Sequence, residues 1–127
     1  MGCGVASVAN VLGISYNRAL YLFDNGKENV KDTGFLCKDI VAALNKSGKN
    51  YHYGYINQTI RKKIYNPGTI VFIRRSKRYP YGHYLTRSNN RWVDPWINLR
   101  YDKEPRHSIA GIRERLLGKA IYAILTV

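Results

Sequence analysis

The sequence predicts an α+β fold: an N-terminal helical layer packed on a C-terminal antiparallel sheet. Three observations predict it. Apolar residues recur at helical spacing as far as about Lys46. From Tyr51 onward the period shortens to two, and β-branched and aromatic residues dominate. Helical segments precede strand segments instead of alternating with them, which favours antiparallel pairing over βαβ units. No repeat, low-complexity tract or linker interrupts the 127 residues, so one domain spanning 1-127 is expected.

The elements follow in order. Val5, Val8, Ala9 and Leu12 fall on one face of a helix over Gly4–Leu12, and Gly13 stops it. Cys3 then sits at or just before its first turn. Ser15 can cap a second helix reaching about Phe23, with Ala19, Leu20, Leu22 and Phe23 inward. Thr33 can cap a third, from about Phe35 to Lys46, with Leu36, Ile40, Ala43 and Leu44 on its buried stripe and Gly48 as its stop. Tyr51–Ile56 alternates and reads as a strand. Gln58–Tyr65 predicts a short helix, and Asn66-Pro67-Gly68 a turn. Thr69–Arg74 is the clearest strand. Arg75–Tyr81 is a basic, aromatic loop. Gly82–Arg87 and Trp92–Asp94 form a hairpin around Asn89-Asn90. The spacing predicts a helix over Ile109–Leu117 and a closing strand over Ile121–Val127.

Composition bounds the function. Hydrophobic residues are 45% and charged residues 23%, ordinary globular values that exclude wholesale disorder. No apolar run approaches the ~20 residues of a membrane span. There is no signal peptide pattern, and the Met1-Gly2-Cys3 start fails the myristoylation pattern because Ala6 stands where Ser or Thr is required. Two cysteines, Cys3 and Cys37, are too few for a disulfide framework, which leaves either one bridge between them or two free thiols. Free thiols suit a reducing compartment, so a cytoplasmic setting, or delivery into a cytoplasm as an effector domain, is expected. The unusual quantity is the net charge of +13. Such an excess points to an anionic partner, whether nucleic acid, acidic protein or a membrane surface, or else to a solubilising surface.

A nucleophilic thiol needs a field that favours the thiolate, a base, and a group to orient that base. A helix N-terminus supplies the field for Cys3. Gly2 and Gly4 let a substrate carbonyl approach closely, and the Cys3 backbone N–H is a natural oxyanion donor. Of the three histidines, His52 lies in a Tyr-rich strand and His107 has no evident partner. His83 opens a strand after Gly82. With Asn89-Asn90 as a two-residue loop, Leu85 faces Asp94, and Asp94 becomes the diagonal neighbour of His83 on the same sheet face. A carboxylate there is expected to accept Nδ1–H and stabilise the imidazolium. Each piece also has a purely structural reading: a packed thiol, a structural His–Asp pair, an Asp-Pro strand exit.

The run Gly2-Cys3-Gly4-Val5-Ala6-Ser7-Val8-Ala9 resembles the nucleophile segment of papain-like cysteine peptidases of the bacteriocin-processing type, which cleave after double-glycine leaders. The resemblance continues through Gly82-His83-Tyr84-Leu85 and Val93-Asp94-Pro95, in order along most of the chain. It implies a papain-like fold and a triad of Cys3, His83 and Asp94. One feature departs from the family, which carries a Gln about six residues before its Cys to complete the oxyanion hole. Two residues precede Cys3, and the single Gln, Gln58, is mid-chain. Either an upstream segment was cut, leaving Met1 as a start scar, or acyl transfer is inefficient.

The positive residues concentrate after residue 60, from Arg61-Lys62-Lys63 onward, interleaved with Tyr65, Tyr79, Tyr81, Tyr84, Trp92, Trp96 and Tyr101. Cations neutralise phosphates and exposed aromatics stack on unpaired bases, the footprint of RNA binding; the alternative is that the aromatics are core. Arg74, Arg75, Lys77, Arg78 and Tyr81 would rim the site, because their loop runs straight into His83. Three functions are therefore expected in turn: a cysteine hydrolase acting on a peptide or amide bond, a toxin-like effector of the same fold that cleaves RNA of the tRNA type, or a non-catalytic nucleic-acid-binding module. None calls for a cofactor or metal. The expected state is a monomer, and an acidic inhibitor would be a natural partner.

Overall fold

The structure is a computed structural model and describes residues 3–23, 37–95, 97 and 110–127. Four helices and six strands are built from them: α1 (Cys3–Leu12), α2 (Tyr16–Leu20), α3 (Cys37–Lys46), β1 (Tyr51–Tyr55), α4 (Gln58–Lys63), β2 (Ile70–Ile73), β3 (His83–Arg87), β4 (Trp92–Asp94), β5 (Gly111–Arg113) and β6 (Ala120–Thr126). The strands form one open sheet in the order β1-β6-β2-β3-β4-β5, antiparallel throughout. The expected α+β class holds. Among the described residues, no helix is long and apolar enough to cross a membrane.

The helical layer forms as its apolar stripes direct. Val5 and Val8 of α1 are fully buried, each worth about 2 kcal/mol of burial. Gly13 ends α1 in the left-handed region (φ 66°), and the Ile14 N–H closes back on the Ala9 carbonyl at 3.1 Å. Ser15 caps α2 by accepting from the Arg18 N–H. That helix stops at Leu20, short of the expected Phe23, because the Leu22 and Phe23 N–H groups bond three residues back and tighten the chain into a turn. Phe23 is nonetheless buried, as is Ala19. Ile40, Ala43 and Leu44 line the inner face of α3; its expected start at Thr33 and Phe35, with Leu36, lies outside the described residues.

Alternation divides the sheet into two faces. Tyr51, Ile70, Tyr84 and Ile124 pack against α1, α2 and α3. Val71, Ile73, Leu85, Trp92, Ala123 and Leu125 form a second core with Ile56, Ile60 and Ile64 around α4. The sheet is thus covered on both faces, and the helical layer is only one of two coverings. The hairpin has the expected register: Thr86 pairs with Val93, Arg87 with Trp92, and Ser88 meets Arg91 around a two-residue loop. One element differs in kind. Within Ile109–Leu117, expected to be helical, Gly111–Arg113 is strand β5, paired along β4.

Candidate active site

Two chain segments begin at the same place. Cys3 opens α1 and His83 opens β3, and α1 packs along β3. Gly82 makes the second start possible. It sits at φ 78°, with its N–H bonded to the Tyr79 carbonyl, and a Cβ there would collide with the Phe72 ring and the Ile73 carbonyl. His83 pairs with Ile73 across the β2–β3 ladder, on the face that also carries Leu85 and Val71.

Three predicted residues are brought together. His83 Nε2 lies 2.6 Å from Asp94 Oδ1, and both side chains are buried, 1% and 0% exposed. The diagonal placement of Asp94 is as the hairpin register requires, but the ring nitrogen is the other one. Asp94 takes Nε2, not the expected Nδ1. Nδ1 has no hydrogen-bond partner within bonding geometry, and the other side chain near enough to act on the imidazole is Cys3. This assignment leaves Nδ1 to serve the thiol.

The electrostatics follow from that contact. Burial alone would raise the Cys3 thiol. The hydrogen bond and charge of His83, with a hydrogen bond from the Tyr84 backbone N–H, outweigh burial and hold it below its ordinary value. For His83, burial would favour the neutral ring. The hydrogen bonds to Asp94 and Cys3 and their charges outweigh it, pushing the imidazole up to about 9. Both shifts favour the thiolate–imidazolium pair over the neutral one. Cys37 contrasts with it. Burial raises that thiol, and its sulfur lies 3.7 Å from the Tyr84 hydroxyl.

Two further residues belong to this constellation and were missed. Arg113 donates from Nε to Asp94 Oδ2 at 2.7 Å and from Nη2 to the Ile97 carbonyl at 3.4 Å. Both carboxylate oxygens of Asp94 are therefore held by cations. In the sequence Arg113 is one of the many cations after residue 60, and its diagonal placement next to Asp94 depends on β5, which the periodicity does not reveal. Tyr79 stacks on the His83 ring, with centroids 4.3 Å apart and planes at 8°. Arg78 holds that tyrosine in turn, donating from Nε to its hydroxyl at 3.2 Å and lying 5.6 Å from its ring centre.

The expected basic loop between two strands is present. Arg74, Arg75, Lys77 and Arg78 are exposed, as is Tyr81, in the loop between β2 and β3 that turns into His83. The aromatic half of the RNA footprint needs correction. Tyr79, Tyr84 and Trp92 are core residues, at most 3% exposed. Tyr65 is half-exposed, but Arg87 lies over its ring and over Trp92, 5.1 Å from each. Trp96 and Tyr101 lie outside the described residues, as does His107; His52 is exposed on β1 and Gln58 opens α4. Among the described residues no group of three or more His, Cys, Asp or Glu is placed to hold a metal ion. No protein-family model matches this chain, and neither a curated protein nor a solved structure does.

Proposed function

We propose that this chain is a papain-like cysteine hydrolase that cleaves a peptide or amide bond through Cys3, His83 and Asp94. The single observation that carries the reading is the depressed Cys3 thiol beside a His83 imidazole raised to about 9 and anchored through Nε2 by Asp94. The thiolate attacks the carbonyl carbon, and the carbonyl electron pair moves to oxygen. The Cys3 backbone N–H stabilises that oxyanion. Collapse expels the amine, which takes the proton from His83 Nδ1. Water then gives a proton back to Nδ1 as it attacks the thioester, and the thiolate leaves. Asp94 holds the ring through Nε2 throughout and stabilises it whenever it is imidazolium, and Arg113 holds the other carboxylate oxygen. Two free thiols suit action in a reducing, cytoplasmic setting.

The test is chemical. Iodoacetamide at pH 6.5 labels Cys3 far faster than Cys37, and Cys3→Ala abolishes hydrolysis of amide substrates. Equal labelling of the two thiols removes the basis of the proposal.

The exposed Arg74, Arg75, Lys77 and Arg78 beside Tyr81 favour a second reading, in which the same fold binds RNA and His83 acts as acid–base in its cleavage. Total and transfer RNA that stay intact on long incubation with the protein eliminate the cleavage. Binding alone requires a steep salt dependence.

A further inference from the structure

The loop between β2 and β3 turns its cations outward and one residue inward. Arg74, Arg75, Lys77 and Arg78 are exposed. Tyr79 is 1% exposed and belongs to the same buried cluster as Val71, Ile73 and Leu85. All of its polar groups are engaged. The Tyr79 N–H donates to Ser76 Oγ at 3.1 Å. The carbonyl accepts from the Ser76 and Gly82 N–H groups, at 3.0 and 2.9 Å. The hydroxyl accepts from Arg78 Nε at 3.2 Å. A tyrosine satisfied along its backbone and at its tip has one place to be. The Gly82 contact ties that place to the residue before His83, so a single turn sets both rings.

What the phenol ring meets is the face of the imidazole, with centroids 4.3 Å apart and planes at 8°. Asp94 holds the same imidazole at its edge, 2.6 Å from Nε2. One hydrogen bond at an edge lets a ring pivot about it. A flat neighbour on the face removes that freedom and keeps the orientation that leaves Nδ1 to the thiol.

The stack also responds to charge. An aromatic face is electron-rich, so at this distance it attracts an imidazolium and has little preference for a neutral imidazole. The charged groups that act on His83 from the elements around it are Cys3 of α1, Asp94 of β4, Arg113 of β5 through Asp94, and Arg78 of the loop, 5.6 Å from the Tyr79 ring centre. The two anions favour the imidazolium and the two cations oppose it. Tyr79 adds to the first pair without a charge of its own.

We propose that Tyr79 is a positioning residue for the reaction: its ring face fixes the plane of the His83 imidazole and favours the imidazolium over the neutral ring. The consequence for Cys3 rests on the peptidase reading above. The basic loop thereby has a second use, since it carries the residue that holds the catalytic base.

The experiment replaces Tyr79 in the whole chain by Phe, by mono-, di- and trifluorinated Phe, and by Leu. Fluorination drains the ring face of electron density and scarcely changes its shape. Two quantities are read: the His83 titration by NMR, in a chain that also carries His52→Gln and His107→Gln, and the pH profile of Cys3 alkylation by iodoacetamide. Tyr79→Phe should keep both close to the parent. Along the fluorinated series the His83 titration should move stepwise to lower pH, and Cys3 labelling at pH 6.5 should fall by about three- to thirtyfold in all, with Tyr79→Leu at the end of the series. Should the Leu variant fail to fold, the fluorinated series carries the test. A His83 titration that is the same with Phe, trifluorinated Phe and Leu at 79 overturns the proposal. So does a loss in Tyr79→Phe as large as that in Tyr79→Leu, which would give the effect to the Arg78 contact instead of the ring. Equal labelling of Cys3 and Cys37 in the parent removes the peptidase reading and with it the reaction for which Tyr79 would position the ring. A parent with fast Cys3 labelling and a fluorination series without effect overturns the role of Tyr79 alone.

Discussion

Asp94→Asn separates an electrostatic role for the third residue from a merely positional one. The substitution keeps the size of the side chain. It removes one negative charge from a fully buried place, 2.6 Å from His83 Nε2 and 2.7 Å from Arg113 Nε. His83 stands at about 9 against an ordinary 6.5. At ~1.36 kcal/mol per unit, that difference is roughly 3 kcal/mol in favour of the imidazolium. Burial opposes it, and the Asp94 hydrogen bond is the largest of the contributions that raise it. Without the carboxylate, burial is opposed by Cys3 alone, and most of the roughly 3 kcal/mol is lost. The thiolate depends on the imidazolium, so the Cys3 thiol rises in turn. The assay is the rate of Cys3 alkylation by iodoacetamide from pH 5 to 10, read by mass spectrometry of the labelled peptide. In the intact protein the rate levels off below the ordinary thiol value of 9.0. In the variant the plateau moves upward, and the rate at pH 6.5 falls by about 10- to 100-fold. Cys37, raised by burial, stays slow in both and serves as the internal control. An unchanged pH profile in a variant that melts cooperatively would refute the reasoning, because the charge of Asp94 would then not reach the thiol.

Arg113→Met leaves Asp94 buried with one charged partner fewer; its side chain is 16% exposed, so about 2–3 kcal/mol of stability is lost by urea denaturation, with an upward shift in the alkylation profile. Gly82→Ala forces a left-handed alanine against Phe72 and Ile73, and should cost at least ~1 kcal/mol and slow Cys3 alkylation at pH 6.5; a variant as stable and reactive as the parent would contradict the strand start described. Stability also carries a pH signature. His83 is raised on folding, so its contribution is full below 6.5 and vanishes as the pH climbs through about 9, whereas the lowered Cys3 contributes above 9.0 and loses this as the pH falls through its folded value. Cys3→Ser isolates the first effect: its urea midpoint should fall between pH 6 and pH 9, and adding His83→Gln should flatten the curve. Reversing Arg74, Arg75 and Lys77 to Glu should abolish the salt dependence of binding to an anionic partner while leaving the iodoacetamide profile in place; a displaced profile would mean that the rim acts on the thiol itself.

The parts legible in the sequence are those set by local chemistry. The α1 stripe, its glycine stop and the two-residue hairpin loop each follow from residues adjacent in the chain, and together they bring Cys3, His83 and Asp94 into one place. What was not legible depends on partners far away in sequence. Gly111–Arg113 has too few residues to display a period of two, and it is a strand because β4 offers an unpaired edge. Arg113 was unrecognised for that reason, since only this pairing sets it diagonally from Asp94. The ring nitrogen was misassigned for a related one. A diagonal His–Asp pair is compatible with either nitrogen facing the carboxylate, and the choice is made by where the thiol of a different element sits. The tyrosines illustrate the same limit. Tyr79 and Tyr81 are two residues apart in one loop, yet one is stacked under cover on His83 and the other is half-exposed.

The charge of the chain and the charge of the site are separate matters. In the working form that the proposed mechanism requires, the buried constellation holds two negative groups, Cys3 and Asp94, and two positive ones, His83 and Arg113. That quartet is neutral in sum. It needs nothing from the +13 around it, and a low dielectric inside makes its internal contacts strong. Other cations are absorbed into packing, as Arg87 is over Tyr65 and Trp92 and Arg78 is against Tyr79. The remaining excess is exposed to water, where screening confines its influence to about 8 Å in physiological salt. Surface charge of this kind acts on a molecule as it arrives and on how fast it arrives. On the proposed reading, the basic loop bears on which partner or substrate segment is drawn toward His83, while the charge state of Cys3 is set by His83, Asp94 and Arg113, which the solvent scarcely touches.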